Sequence, residues 1–298
     1  MFSKKALLSL FLLVSLLLPS YAALGSEKLK VFVTIPPQKY FVERIGKERV
    51  QVQTLIPAGS DVHTYEPRPN QMKALQQSKL YFSIGDLSAF EESQLPKIAK
   101  LNPNLKIIDT SLGIKRLETT EPLMTIGKTE EHEDDHGHGD PHIWTSPKLA
   151  VLQIDAILKG LTQADPEGKA FYKKNRDALV GEIKKLDKEL RERFKPHKGS
   201  AFLVFHPAWG YLAKEYGLRQ VAIEMDGKEP KPMELAKVMQ LAKKEKIKFI
   251  FVSPQRSSAS AETIAKEIGG TVVIADPLAE NWLENLRSVG KSIAKALR

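Results

Sequence analysis

Short apolar runs rich in β-branched and aromatic residues alternate with amphipathic helical patterns, and the whole alternation occurs twice. In the first half the runs are Leu29 to Ile35, Val50 to Ile56, Leu80 to Ile84 and Lys106 to Asp109, separated by helical patterns such as Gln38 to Ile45 and Asn70 to Gln77. In the second half they are Ala201 to Phe205, Gln220 to Ile223, Phe249 to Val252 and Thr271 to Ala275, again set between helices. A helix between two strands carries the chain back across the sheet, so strands joined this way lie parallel. The pattern therefore predicts an α/β fold with two similar domains, each built on a parallel sheet.

Between the halves, apolar residues recur at Leu179, Ile183, Leu186, Leu190 and Phe194 among dense Lys and Glu. Asp165 stands where an N-cap belongs, Pro166 suits the first helical position, and Pro196 closes the far end. One long linker helix from Pro166 to Phe194 follows, with Gly181 inside it as a tolerated cost. The expected division is a leader at 1–22, a first α/β domain at 23–164, the linker at 165–198 and a second α/β domain at 199–298.

The leader is read from Lys4 and Lys5, the uninterrupted apolar stretch Ala6 to Leu18, and the sequence Pro19-Ser20-Tyr21-Ala22. A charged start, a short apolar stretch and a small-x-small site describe a cleaved signal peptide. No later stretch is long and apolar enough for a membrane helix, so an exported, soluble monomer is expected. The chain has no cysteine, which excludes disulfides, thiolate ligands, a cysteine nucleophile and a lipidated N-terminal cysteine, and favours a free periplasmic protein. The formal charge is +9, of which Lys4 and Lys5 supply two. Because Lys and Glu alternate along the helices and no aromatic-interleaved basic patch occurs, nucleic acid is not an expected partner.

In open α/β sheets, ligands bind beyond the carboxyl ends of the strands. His206 follows Ala201 to Phe205, and Asp276 follows Thr271 to Ala275, so both fall at such ends. His63 lies in the Pro/Gly loop after Val50 to Ile56, and His142 sits in Asp140-Pro141-His142-Ile143-Trp144 just ahead of a helix. Each half contributes two of these side chains, and one cleft between the halves brings all four together. Three imidazoles and a carboxylate make a closed metal shell. Imidazole suits zinc, whereas added carboxylate and water favour manganese, so the set favours zinc with manganese as the competitor. Asp61, Glu66, Arg68 and Glu224 are candidates for orienting the imidazoles. A separate acidic loop at 130–140 carries His132, His136 and His138 and is expected to hold divalent cations weakly.

Ile35-Pro36-Pro37, the stretch Pro57 to Pro67 with Gly59-Ser60-Asp61-Val62-His63, Asp140-Pro141-His142-Ile143-Trp144, Phe205-His206-Pro207-Ala208-Trp209 and Asp276-Pro277-Leu278 occur in this order. Together they resemble the motifs of the zinc and manganese substrate-binding proteins of ABC importers, the ZnuA/TroA-like family. The resemblance implies two α/β domains joined by a long helix, with the metal at their interface. It also implies delivery to an inner-membrane permease powered by a cytoplasmic ATPase. Carried over singly, it gives His63, His142, His206 and Asp276 as the four ligands, with glutamate common at the position of His206 in manganese members. The alternatives are a manganese- or iron-binding protein of the same importer class and, from a different class, a periplasmic zinc enzyme. An enzyme needs an open coordination position for a reactive water. If Asp276 closes the shell there is none, and no well-placed general base is evident in the sequence.

Overall fold

A computed structural model describes residues 27–62, 64–85, 87–88, 90–118, 139–224, 231–255 and 259–297. The leader at 1–22, His63, and His132, His136 and His138 of the acidic loop lie outside the described residues. Two four-stranded parallel sheets are present. The first contains β1 (Leu29–Val33), β2 (Val50–Thr54), β3 (Leu80–Ser83) and β4 (Lys106–Asp109) in the order β2-β1-β3-β4. The second contains β5 (Ala201–Val204), β6 (Arg219–Ala222), β7 (Phe249–Val252) and β8 (Thr271–Ile274) in the order β6-β5-β7-β8. The two sheets share one topology. Central β3 and β5 are buried throughout, as strands covered by helices on both faces must be, whereas the edge strands β4 and β8 are partly exposed.

Helix α1 (Pro36–Gly46) starts two residues before the predicted Gln38, and β1 stops two residues before the predicted Ile35. Pro36 and Pro37 explain both shifts: neither can donate to a sheet ladder, while both fit the first turn of a helix. Gln38 then caps the turn, its side-chain oxygen accepting the N–H groups of Thr34 at 3.0 Å and Ile35 at 3.3 Å. The remaining helices are α2 (Pro69–Gln76), α3 (Leu95–Leu101), α4 (Pro147–Ala164), α5 (Lys169–Phe194), α6 (Gly210–Tyr216), α7 (Pro232–Lys244), α8 (Ala259–Glu267) and α9 (Trp282–Ala296). No helix among the described residues is long and apolar enough to cross a membrane.

The linker helix is α5, with 26 residues and therefore about 39 Å of length. It starts at Lys169, because Pro166–Gly168 forms a separate 3-10 turn in which the Asp165 carboxylate accepts the Gly168 N–H at 3.3 Å. Arg49 holds that carboxylate through two hydrogen bonds of 2.8 and 3.0 Å. The predicted apolar face, Leu179 to Phe194, is buried as expected, against α1, α4 and α9. Helix α9 belongs to the second half of the sequence yet returns across α5, so one continuous core joins the two halves.

Two glycines mark opposite demands on these helices. A Cβ added at Gly181 in α5 meets nothing within 4 Å, so Gly181→Ala should raise stability by about 0.5–1 kcal/mol. A Cβ added at Gly290 in α9 would lie 2.3 Å from Leu190 Cδ2, so Gly290→Ala should cost about 1–3 kcal/mol by displacing the fully buried Leu190 side chain. Urea midpoints of the two variants should move in opposite directions.

Candidate metal centre

Four loops and the segment ahead of α4 converge on one small cleft between the sheets. Its walls are Ser60, Asp61 and Val62 after β2, His142 and Trp144 ahead of α4, His206 after β5, Ser253 and Gln255 after β7, and Pro277 and Leu278 after β8. The cleft encloses about 20 Å³. That volume accommodates roughly one water-sized body.

His142 is 5% exposed and is held from its own chain. Asp140, two residues earlier and separated only by Pro141, accepts both the His142 backbone N–H and its ring Nδ1–H, each at 2.8 Å. Tyr211 of α6 fixes the same loop by donating its hydroxyl to the Asp140 carbonyl at 2.6 Å. Burial pushes the Tyr211 phenol up to about 12, so the proton that makes this bond stays in place at ordinary pH.

His206 is oriented by sheet register. Parallel pairing of Val204 with Ala222 sets the next residues of both strands side by side, and the 205 and 206 positions face 223 and 224. His206 Nδ1 accordingly donates to Oε2 of Glu224 at 3.0 Å, a residue that is 4% exposed.

In both rings the Nδ1 hydrogen goes to a carboxylate, which leaves the lone pair on Nε2. The two Nε2 atoms face each other at 3.3 Å, with the ring planes at 77°. A proton shared as a hydrogen bond, or a metal ion in its place, satisfies two nitrogens at that separation. Nitrogens bound tetrahedrally to zinc at about 2.0–2.1 Å stand about 3.3–3.4 Å apart, which is the observed spacing. The spacing matches what a divalent ion with a preference for nitrogen donors requires.

Asp276 lies two residues beyond β8 and is partly exposed. Its Oδ1 accepts from Gln255 Nε2 at 2.8 Å and from the Leu278 N–H at 2.9 Å, and its main-chain carbonyl accepts from Asn285 Nδ2 at 2.7 Å. Its neighbours Gln255, Pro277 and Leu278 line the cleft. Among the described residues no three His, Asp or Glu side chains gather at metal-binding distance. The structure thus brings His142 and His206 together; Asp276 is not itself a wall of the cleft although Gln255, Pro277 and Leu278 are, and Ser60 to Val62 line it.

Of the four residues considered for orienting the imidazoles, Glu224 takes that part and Asp61 lines the cleft, whereas Glu66 and Arg68 are exposed. Arg68 stands at the N-cap of α2, where its backbone N–H donates to Gln71. Asp140 and Gln255 were missed. Asp140 closes an acidic run that reads as solvated, although its place two residues before His142 across a proline is a usable signal.

The chain matches, over residues 31–296, the family described as zinc-uptake complex component A, periplasmic. It is 33% identical over 256 residues to the high-affinity zinc uptake system protein ZnuA of Bacillus subtilis (strain 168), covering 85% of this chain and 79% of that protein. It is 30% identical over 285 residues to the zinc-binding lipoprotein AdcA of Streptococcus pneumoniae, covering 89% of this chain but 55% of AdcA, so the chain spans about half the length of that relative. A crystal structure of ZnuA superimposes with a TM-score of 0.82 at 38% identity, covering 91% of this chain and 100% of that one.

Proposed function

We propose, from the premise that this chain belongs to the periplasmic zinc-uptake component family, that it captures one zinc ion in the cleft and hands it to an ABC permease driven by a cytoplasmic ATPase. The family comprises substrate-binding components of metal uptake systems and not enzymes, so zinc is cargo here. One observation carries the reading: two imidazole Nε2 atoms face each other at 3.3 Å, each ring backed by a buried carboxylate at Nδ1. His63 and Asp276 complete the shell in this reading, giving three nitrogens and one oxygen. Residues 23–164 and 199–298 then form the two jaws, and 165–198 the spine. The histidines at 132, 136 and 138 serve as a weak accessory site rather than the transport site.

Nitrogen donors rank zinc far above manganese. In competition calorimetry on protein purified without added metal, zinc should displace manganese readily and manganese should fail to displace zinc, while His206→Glu should narrow the gap. Equal competition by the two metals would contradict the assignment of zinc. Delivery is tested separately: deleting the gene should stop growth in zinc-depleted medium, and added zinc should restore it.

A further inference from the structure

We propose that Trp144 and Trp282 form a reciprocal latch that sets the spacing of the two sides of the cleft, and are positioning residues for metal retention. The proposal rests on the cleft being the zinc site. The Trp144 indole N–H donates to the carbonyl of Pro277 at 2.7 Å, and the Trp282 indole N–H donates to the carbonyl of Trp144 at 2.8 Å. Pro277 is the residue after Asp276, and Trp144 stands two residues after His142, its ring 5.2 Å from the imidazole. The two bonds therefore tie together the loops that carry one candidate ligand from each half.

Helix α9 closes the arrangement. Its first residue is Trp282, and one turn on Asn285 donates to the Asp276 carbonyl at 2.7 Å, so the same turn grips both loops. Trp282 also packs edge-on against Phe41 of α1 at 5.0 Å, and Lys39 of α1 pairs with Glu280 just before α9.

A buried indole N–H usually finds some acceptor, so one such bond would be ordinary core chemistry. What distinguishes this pair is the identity of the acceptors: both are backbone carbonyls of the metal-site loops, reached from the opposite half. Both indoles are almost fully buried, at 1% and 2% exposure, so bulk solvent does not reach them to replace a lost acceptor. Separating the loops breaks both bonds together, which resists gradual opening and favours a discrete closed state.

The test compares Trp282→Phe and Trp144→Phe, which keep an aromatic ring and drop the N–H, with Asn175→Ala as a control. Asn175 donates to the Ile45 carbonyl at 3.0 Å. That bond ties α5 to the end of α1, where the chain turns into β2 at the amino edge of the sheet, away from the cleft. Each protein is loaded with zinc for chelator-driven dissociation and with cobalt for its visible ligand-field spectrum. Both tryptophan variants should release zinc about tenfold faster or more and shift the cobalt spectrum. Asn175→Ala should lower the melting temperature yet keep the wild-type rate and spectrum. Should either Phe variant fail to fold, 3-benzothienylalanine placed at that position preserves the shape and replaces the N–H by sulfur, with the same changes expected. Wild-type rates and spectra in the tryptophan variants, or equal changes in Asn175→Ala, would overturn the latch. Failure of the wild-type protein to bind zinc would sink the proposed function instead.

Discussion

His142→Ala and His206→Ala should each weaken zinc binding by well over a hundredfold in calorimetry. Each change removes a coordinating nitrogen and also leaves a buried carboxylate, Asp140 at 5% or Glu224 at 4% exposure, without the ring it orients. Changing only the orienting carboxylate should cost less. Glu224→Gln keeps a side-chain oxygen that accepts from His206 Nδ1, and losses from such supporting changes fall at about 10- to 100-fold. The expected order is therefore His206→Ala worse than Glu224→Gln, with Glu224→Gln worse than wild type. Circular dichroism of the metal-free variants separates lost binding from lost fold. Wild-type affinity in His206→Ala would remove this residue from the site.

The second large effect concerns stability and a group that is not among the walls of the cleft. Glu91 is 6% exposed, and burial pushes its carboxyl up to about 7, against the pull of the Thr34 hydroxyl and the Ile84 N–H at 3.1 Å, both donated to Oε1. Asp109 nearby raises it further. Its other oxygen, Oε2, has no partner among the described residues. In the unfolded chain the same group titrates near 4.3. Between those values the native state holds a proton that the unfolded state has lost, so stability falls as pH rises. The contribution is complete below about pH 4 and lost above about pH 7, a difference of about 4 kcal/mol. Glu91→Gln keeps an oxygen for Thr34 and Ile84 and cannot ionise. The variant should therefore be more stable than wild type at pH 8 and nearly equal to it at pH 4. Because other groups titrate in this range, the quantity to plot is the difference between the two urea midpoints. A pH-independent difference would contradict this account of Glu91.

Much of the fold was legible because its signals are local. Central strands such as Leu80-Tyr81-Phe82 and Phe202-Leu203-Val204 are buried on both faces and so appear as unbroken apolar runs. The face of α5 follows from the spacing of Leu179, Ile183, Leu186 and Leu190. Boundaries failed at Ile35-Pro36-Pro37, where proline chemistry outweighed apolar pattern, and at Pro166, where the capped first turn is 3-10 and the α-helix begins only at Lys169. Long-range features left no sequence trace. The return of α9 across α5 and the two tryptophan bonds, which span 133 and 138 residues, depend on tertiary packing that no periodicity encodes. Glu91 was equally hidden. It sits in Phe90-Glu91-Glu92-Ser93-Gln94, a polar stretch that reads as solvated, yet a π-helical turn carries it into the core.

The candidate site divides along the same line. His206 and Asp276 stand out because a strand end in a parallel sheet is where ligands bind. The pairing of His206 with Glu224 depends on which strand lies beside β5, and that order appears only in the folded sheet. The role of Asp140 is local, and an Asp-Pro-His spacing is enough to suggest it.

X-ray absorption at the zinc edge of the loaded protein tests the central claim most directly. The account predicts a four-coordinate ion with light N/O donors at about 2.0–2.1 Å and the outer-shell scattering of three imidazoles, falling to two in His206→Ala. An oxygen-only shell, or an imidazole signal unchanged in His206→Ala, would contradict it.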